Sequence, residues 1–301
     1  FGALYEAIID PIRFYEISDF SNAGDYVGKE LTEDTTLELV LPGNIQFTPY
    51  FELEAPAGKR LTIYTDSYVD SDNNPNFKDT YVTAEGTQQF ENYAWRSGSK
   101  LYIEAEAGVK FTALGYRKSE FNGKWVGTFT SENEELNQLW QESLNTVAIC
   151  MRDTYIDCPE RERGPYMGDA SNQIDAALYG YDQGGLDMTK KAILSCLGWT
   201  PESGAIPSRA PSVKPQEIPN QAFMTAAYHY WLASGDRQTM TDYYHAFVNY
   251  LKLYEMENGL PVYRDGSWTW NDWGNKIDAK LLQVGFYYYA LNLTEKLAGD
   301  L

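Results

Sequence analysis

The spacing of apolar residues changes once along this chain, from strand-like to helix-like, near residues 119–130. Before the change, short runs rich in β-branched and aromatic residues alternate with turn clusters, which is typical of a β-sandwich. The runs are Thr36–Leu41, Arg60–Tyr64, Lys100–Glu104 and Phe111–Tyr116, and the turn clusters are Pro42-Gly43-Asn44, Pro56-Ala57-Gly58 and Asp72-Asn73-Asn74-Pro75. The sequence therefore predicts a β domain over residues 1–122 and an α-helical domain over residues 123–301.

Six helices are predicted in the second domain. Ser131 and Glu134 have the spacing of a capping box, which predicts the start of the first helix. Behind them a helical stripe follows at Leu136, Leu139, Trp140, Leu144, Val147, Ala148 and Met151. The other helices are expected over residues 169–180, 186–198, 223–234, 236–257 and 282–297, with Gly235 and Gly259 as stop signals.

The chain is strongly acidic, with a formal net charge of −19. A surface this negative repels phosphate groups, so we expect neither nucleic-acid nor membrane partners. Aromatic residues make up 15% of the chain, and a flat ring can stack on the apolar face of a sugar. Large cores and β-sheets use the same residues, so the aromatic content alone leaves both interpretations open.

Cysteine and histidine are too scarce for a disulfide framework or a histidine-built metal centre. The three cysteines are Cys150, Cys158 and Cys196, an odd number. His229 and His245 both lie in helical patterns, where we interpret them as structural. We expect no cofactor and no catalytic metal. A structural Ca²⁺ could bind the Asp- and Asn-rich stretch 70–76, although the same residues form ordinary turns.

The densest group of charged residues lies between the first two helices. It reads Asp157-Cys158-Pro159-Glu160-Arg161-Glu162-Arg163-Gly164-Pro165-Tyr166-Met167-Gly168-Asp169. Pro159 and Pro165 prevent a continuous helix, so we expect an ordered loop. Several carboxylates on one loop suit glycoside hydrolysis, in which one protonates the leaving oxygen and another activates water. The alternative is a surface charge run in which Arg161 and Arg163 pair with Glu160 and Glu162.

A second cluster has three tryptophans and an aspartate within six residues, at Trp268, Trp270, Asp272 and Trp273. Such a cluster could form a platform for a sugar ring with an acceptor for one of its hydroxyl groups. The alternative is a Trp-rich loop between helices that packs on the core.

The segment from Thr128 to Asp169 resembles the start of the catalytic domain of glycoside hydrolase family 78, the bacterial α-L-rhamnosidases. The resemblance rests on Thr-Phe-Thr-Ser, Asn-Gln-Leu-Trp and, above all, Asp-Cys-Pro-Glu-Arg-Glu-Arg followed by Gly-Asp-Ala. Weaker similarity extends through Leu41-Pro42-Gly43-Asn44 and Ala55-Pro56-Ala57-Gly58 to the sandwich that precedes that domain. The implied fold is an N-terminal β-sandwich followed by part of an (α/α)6 toroid, here its first half.

By this resemblance Glu162 is the general acid of an inverting exo-glycosidase that releases a terminal sugar from glycans. Asp157 and Asp169 are expected to bind sugar hydroxyl groups, Tyr166 to line the subsite, and Arg161 to pair with carboxylates of the loop. The Trp268–Trp273 cluster resembles the family's Gly-Asp-Trp segment, which makes its tryptophans and Asp272 candidate sugar-binding residues.

The resemblance also implies what lies outside the chain. The family's general base is expected beyond Leu301, and Asp272 is the weaker alternative for that role. Gly164-Pro165-Tyr166 replaces the family's usual Gly-Trp, which leaves another sugar specificity open. A non-catalytic glycan-binding relative is a further alternative. A periplasmic or extracellular location and a homo-oligomer are both compatible with this reading.

Overall fold

The computed structural model describes residues 11–211, 223–264 and 276–301. Contacts divide the chain into two compact units. The strand unit consists of Ile12–Phe121 with the short segment Cys158–Glu162, and the helical unit includes Asn122–Asp157 and Arg163–Leu301. None of the helices in the described ranges is long and apolar enough to cross a membrane.

Seven strands of the strand unit form one antiparallel sheet. They are β1 (Ile12–Asp19), β2 (Thr35–Ala55), β3 (Arg60–Thr65), β4 (Asp79–Val82), β5 (Gly86–Glu91), β6 (Arg96–Ala105) and β7 (Lys110–Phe121). The hydrogen-bonded order is β1-β7-β2-β6-β3-β4, and β5 pairs with β2. All four predicted runs fall within β2, β3, β6 and β7, so these strand predictions are confirmed.

The long strand β2 belongs to both halves of the sheet. Its first part pairs with β6, and its last part lies between β7 and β5. Between Val40 and Ile45 its register with β6 shifts. The predicted turn at Pro42-Gly43-Asn44 is therefore wrong, because these residues form an irregularity inside the strand. A bulge adds residues without ending the pairing, and it accommodates a proline that has no N–H to donate.

Both halves of the sheet contribute to one apolar core. Alternate side chains of β2, such as Leu37, Leu39 and Phe51, are fully buried, as the period of two in a strand requires. The Phe51 ring contacts Tyr81 of β4 at 5.2 Å and Phe111 of β7 at 6.0 Å between ring centres. The strand β7 is the neighbour of β2 in the sheet, but β4 lies three positions away from β2 in the pairing order. The contact with Tyr81 therefore joins distant strands in the core, and the predicted β-sandwich is a single sheet folded over its own apolar face.

Six α-helices occur in the described part of the helical unit. They are α1 (Glu134–Ile149), α2 (Met167–Gly180), α3 (Gln183–Trp199), α4 (Phe223–Ser234), α5 (Arg237–Leu251) and α6 (Ala279–Asp300). All six match a predicted helix, but α5 ends earlier than the predicted residue 257. Two short strands, β8 (Met256–Glu257) and β9 (Leu260–Pro261), form a hairpin there. Its turn contains Asn258 and Gly259 at positive φ, a conformation that a helix cannot contain.

The predicted capping box at the start of α1 is wrong. Asn133 is the N-cap, and its side-chain oxygen accepts a hydrogen bond from the amide of Glu135 at 2.9 Å. The Ser131 hydroxyl instead accepts from the amide of Asn133 at 3.1 Å. Asparagine caps helices at least as well as serine, so Asn133, which directly precedes the first helical residue, starts the helix.

Alternate helices of the unit contact one another. The helix α2 contacts α4, α4 contacts α6, and α3 contacts α5, while α1 packs against α2. The helices α2, α4 and α6 thus form one layer, and α3 and α5 form a second layer that packs against it. Successive helical hairpins of an (α/α) toroid pack in this way, as the predicted fold class requires.

Candidate active site

The acidic loop after α1 is closed by Asp157 and Gly164. The amide of Asp157 donates to the carbonyl of Gly164 at 2.9 Å, and the amide of Gly164 donates to Asp157 Oδ1 at 2.7 Å. A side chain at position 164 would collide with Tyr166, because an added Cβ would lie 2.6 Å from Cε2 of that ring. The bond to the carboxylate is charge-assisted, so the loop fixes the orientation of Asp157 with its own backbone.

The two glutamates of the loop, both in the strand unit, have opposite environments. Glu160 is buried, with 6% of its surface exposed, and accepts a short hydrogen bond from the amide of Ser97 in β6. The Glu162 side chain is 40% exposed and pairs with Arg161 Nη2 at 2.6 Å. An exposed ion pair contributes only about 0–1 kcal/mol, so a ligand can displace the Arg161 side chain. Glu162 is therefore the glutamate that a solute can reach.

Tyr166 is held by the proline-rich connection that follows α3. The amide of Met167 donates to the carbonyl of Ser208 at 2.8 Å. Arg209 Nη1 donates to the Tyr166 hydroxyl at 3.1 Å, and its guanidinium lies 5.4 Å from the ring centre, within the range of a cation–π interaction. Among the described residues, neither Ser208 Oγ nor Arg209 Nε has a hydrogen-bond partner, although both atoms are buried. Two buried polar groups near Tyr166 therefore lack a partner within the described part of the chain.

Asp169 and Arg152 lie on either side of the loop in sequence. Asp169 is exposed in the first turn of α2, where the helix dipole favours a negative charge. Arg152 is buried just after α1, and this burial lowers the pKa of its guanidinium to about 10. The helical unit therefore places an exposed carboxylate and a buried cation close to the loop in sequence.

The second predicted cluster, Trp268, Trp270, Asp272 and Trp273, lies outside the described residues, and its role stays a prediction.

The calcium prediction also remains open. Asp70 Oδ1 accepts hydrogen bonds from the amides of Asp72 at 2.9 Å and Asn74 at 2.8 Å. The bond from Asn74 is the main reason why the pKa of Asp70 is lowered, and these contacts describe an ordinary turn. Within residues 11–211, 223–264 and 276–301, no group of three His, Cys, Asp or Glu side chains is arranged to hold a metal ion.

Sequence reasoning missed Arg209 and Arg152 as neighbours of the loop. The structure links Asp157, Gly164, Tyr166 and Arg209 by direct contacts within the helical unit, and it pairs Glu162 with Arg161 in the strand unit. The unusual proline content of residues 198–219 was the available signal for Arg209, because a long ordered connection is commonly functional. Composition gave no reason to select this arginine.

Comparison with known proteins gives one family. A family profile described as the bacterial α-L-rhamnosidase six-hairpin glycosidase domain matches residues 124–301. An α-L-rhamnosidase of Formosa agariphila is 31% identical over 116 residues, which covers 30% of this chain and 12% of that protein.

Two solved structures have a similar fold. The rhamnosidase from Klebsiella oxytoca with rhamnose bound has a TM-score of 0.81 and 15% identity, and the match covers 96% of this chain and 65% of that one. The family 78 rhamnosidase of Bacillus sp. GL1 has a TM-score of 0.77 and 24% identity, over 88% of this chain and 29% of that one. They confirm the predicted fold class, a β unit followed by part of a six-hairpin toroid.

This chain spans less than two thirds of each of these relatives, 12% of one and 29% and 65% of the others. The profile nevertheless matches more than half of the chain, including the loop and all six helices. The chain therefore belongs to the bacterial α-L-rhamnosidase six-hairpin glycosidase family.

Proposed function

We propose that the protein containing this chain is an inverting exo-glycosidase that removes terminal α-L-rhamnose from glycans, with Glu162 as its general acid. The substrate is suggested by the relatives, which are named rhamnosidases, and one of them, the Klebsiella oxytoca protein, has rhamnose bound in its solved structure. The observation that carries the residue assignment is the contrast between Glu160, which is buried, and Glu162, which is exposed.

In the proposed reaction, the Glu162 carboxyl group donates its proton to the glycosidic oxygen as the bond between that oxygen and the anomeric carbon breaks. A second carboxylate takes a proton from water, which attacks the anomeric carbon from the opposite face and inverts its configuration. The resemblance assigns that carboxylate to a position beyond Leu301. A sugar bound over Glu162 would displace the Arg161 side chain from its carboxyl group.

The sugar is proposed to be bound by Asp157, Asp169, Tyr166 and Arg209. Carboxylates accept hydrogen bonds from hydroxyl groups, and Tyr166 offers the face of its ring. Arg209 is partly exposed, and its guanidinium supplies hydrogen-bond donors for a hydroxyl oxygen. A glycan substrate also suggests a periplasmic or extracellular location for this protein.

The test compares two leaving groups in the full-length protein. Glu162→Gln keeps the shape of the side chain, but its amide group has no acidic proton to transfer to the leaving oxygen. An alkyl rhamnoside has a poor leaving group that requires protonation, so its kcat/KM should fall by about 10²–10⁴-fold. Nitrophenolate leaves with little help, so p-nitrophenyl rhamnoside should be affected much less. Equal losses for both substrates would show that Glu162 is not the proton donor.

Glu160→Gln is the matched control. This change is also a glutamate to a glutamine on the same loop, but Glu160 is buried against the amide of Ser97. We expect a lower melting temperature and no difference between the two leaving groups. Turnover of another aryl glycoside in place of the rhamnoside would keep the mechanism and change the specificity. Binding of glycans without any turnover would favour a non-catalytic glycan-binding protein.

A further inference from the structure

The strand unit has a groove that the proposed hydrolysis does not use. Its volume is about 620 Å³, and it is lined by Phe14, Thr48, Glu91, Asn92, Tyr93 and Arg117. Four of these side chains come from four strands, β1, β2, β5 and β7, and the other two come from the turn after β5. The volume lies within the roughly 300–1,000 Å³ typical of small-molecule sites.

The polar part of the groove is fixed by hydrogen bonds before any ligand arrives. Arg117 Nε and Nη2 donate to the two carboxylate oxygens of Glu91 at 2.7 and 3.1 Å. The Thr48 hydroxyl donates to the same carboxylate at 2.9 Å, and Arg117 Nη1 donates to the Tyr15 carbonyl at 3.0 Å. A bidentate pair of this kind has a defined geometry. About a third of each charged side chain remains exposed, so both can still bind a solute.

The two aromatic side chains of the groove present their rings to solvent. Tyr93 is fully exposed, at 101%, and Phe14 is 63% exposed. The turn that carries Tyr93 is anchored by Asn92, which donates to Asp79 Oδ2 at 2.7 Å and accepts from the amide of Ala94 at 3.1 Å. Phe14 precedes an irregularity in β1 where the register with β7 shifts, and such bulges redirect side chains.

We infer that this groove binds a pyranose unit of a neutral glycan, with Tyr93 and Phe14 against the sugar rings and Glu91 and Arg117 hydrogen-bonded to its hydroxyl groups. Sugars need both kinds of contact, because a pyranose has an apolar face and a rim of hydroxyl groups. A carboxylate supplies acceptors and a guanidinium supplies donors for that rim.

Charge argues for a neutral ligand. The charges of Glu91 and Arg117 offset each other within the groove, and the whole chain has a net charge of −19. An anionic sugar would therefore find no net positive charge here and would be repelled by the rest of the surface.

The test uses the full-length protein carrying Glu162→Gln, so that no probe is hydrolysed. Its mobility is measured by electrophoresis in gels that contain a neutral galactan, a neutral glucan, a neutral rhamnan or anionic polygalacturonate. At least one neutral polysaccharide should retard the protein. Tyr93→Ala should weaken that binding by about tenfold, the size expected for loss of one stacked ring with its buried area. Tyr93→Phe should retain most of the binding.

Tyr179→Ala is the matched control, because Tyr179 is also highly exposed, at 83%, but lies on α2. The inference is wrong if no neutral polysaccharide binds, if only polygalacturonate binds, or if the two alanine variants lose affinity equally. Self-association that Tyr93→Ala abolishes would also overturn it, since the groove would then be a protein contact. This result can be separated from a test of the proposed function. In the otherwise native protein, which keeps Glu162, Tyr93→Ala should leave hydrolysis of p-nitrophenyl rhamnoside unchanged.

Discussion

Gly180, the last residue of α2, packs directly against an indole ring. An added Cβ at this position would lie 1.9 Å from Cη2 and 2.1 Å from Cζ2 of Trp125. The backbone cannot easily move away, since the carbonyl of Gly180 accepts hydrogen bonds from the amides of Val126 and Gly127, both at 2.8 Å. Gly180→Ala must therefore displace the Trp125 ring or break the backbone pairing.

The loss of stability expected for Gly180→Ala follows from the contacts that hold the Trp125 ring in place. The indole N–H donates to the carbonyl of Gly127 at 2.7 Å, and the ring packs edge-on against Tyr181 and Trp140 at 4.8 and 6.1 Å. A hydrogen bond contributes about 1 kcal/mol, and each aromatic pair about 0.5–1.5 kcal/mol. Alanine returns about 0.5–1 kcal/mol of helix propensity. We expect a net loss of roughly 1–3.5 kcal/mol, which corresponds to about 2–14 °C in the melting temperature of a unit of this size.

Calorimetry of the full-length protein measures this loss, and Gly285→Ala provides the matched control. Gly285 is exposed within α6, and a Cβ there would meet nothing within 4 Å. The same substitution should therefore stabilise the protein by about 0.5–1 kcal/mol. The double variant Gly180→Ala, Trp125→Ala should be less destabilised than the two single losses imply, because the colliding ring is gone. A Gly180→Ala protein that melts at or above the wild-type temperature would refute the packing argument.

Three other predictions concern Asp236, the cysteines Cys158 and Cys196, and Arg209. Replacement of Asp236, the N-cap of α5, with alanine should lower the stability of the protein by about 0.5–2 kcal/mol. Burial opposes ionisation of Asp236, but an ion pair and hydrogen bonds hold its pKa at about 2, below the ordinary 3.8. Its contribution to the stability of the protein is therefore present above pH 4 and lost as the pH falls towards 2. Calorimetry of the wild type and of Asp236→Ala over that range checks this dependence. Burial raises the pKa of the Cys196 thiol to about 12, whereas Cys158 is partly exposed. Iodoacetamide should therefore label Cys158 first in the native protein, and mass spectrometry would identify the labelled cysteine. Arg209→Met removes the donor to Tyr166 and should raise the KM for p-nitrophenyl rhamnoside by about tenfold with a smaller change in kcat, as steady-state kinetics would show.

The order of strands and helices could be predicted from the sequence because both depend on periods of a few residues. The predictions that failed are local ones, where the residue types are compatible with more than one conformation. Pro42-Gly43-Asn44 has the composition of a turn, yet β2 continues through it, because pairing with β6 resumes on the far side. Asn133 and Ser131 are both good caps, and their order along the chain decided which one starts α1.

Helical spacing predicted α1 but not which part of its stripe is buried. Val147 is 9% exposed, whereas Leu136 and Leu139 are 45% and 58% exposed. The period of 3.6 residues places these side chains on one face of the helix. Burial, however, depends on which other element covers each turn of that face, and the spacing within one helix carries no information about its neighbours.

The same limit applies to the candidate site. Glu160 and Glu162 have the same side chain, lie two residues apart and are both followed by an arginine. Residue type and spacing therefore could not separate them, and the resemblance to family 78 was needed to select Glu162. What separates them physically is the burial of Glu160 in the strand unit, where its carboxylate accepts a hydrogen bond from the amide of Ser97, 63 residues earlier in the chain. Arg209 reaches Tyr166 across 43 residues in the same way. Contacts between such distant residues exist only in the folded protein, and here they decide which polar groups are used by the structure and which are left for a substrate.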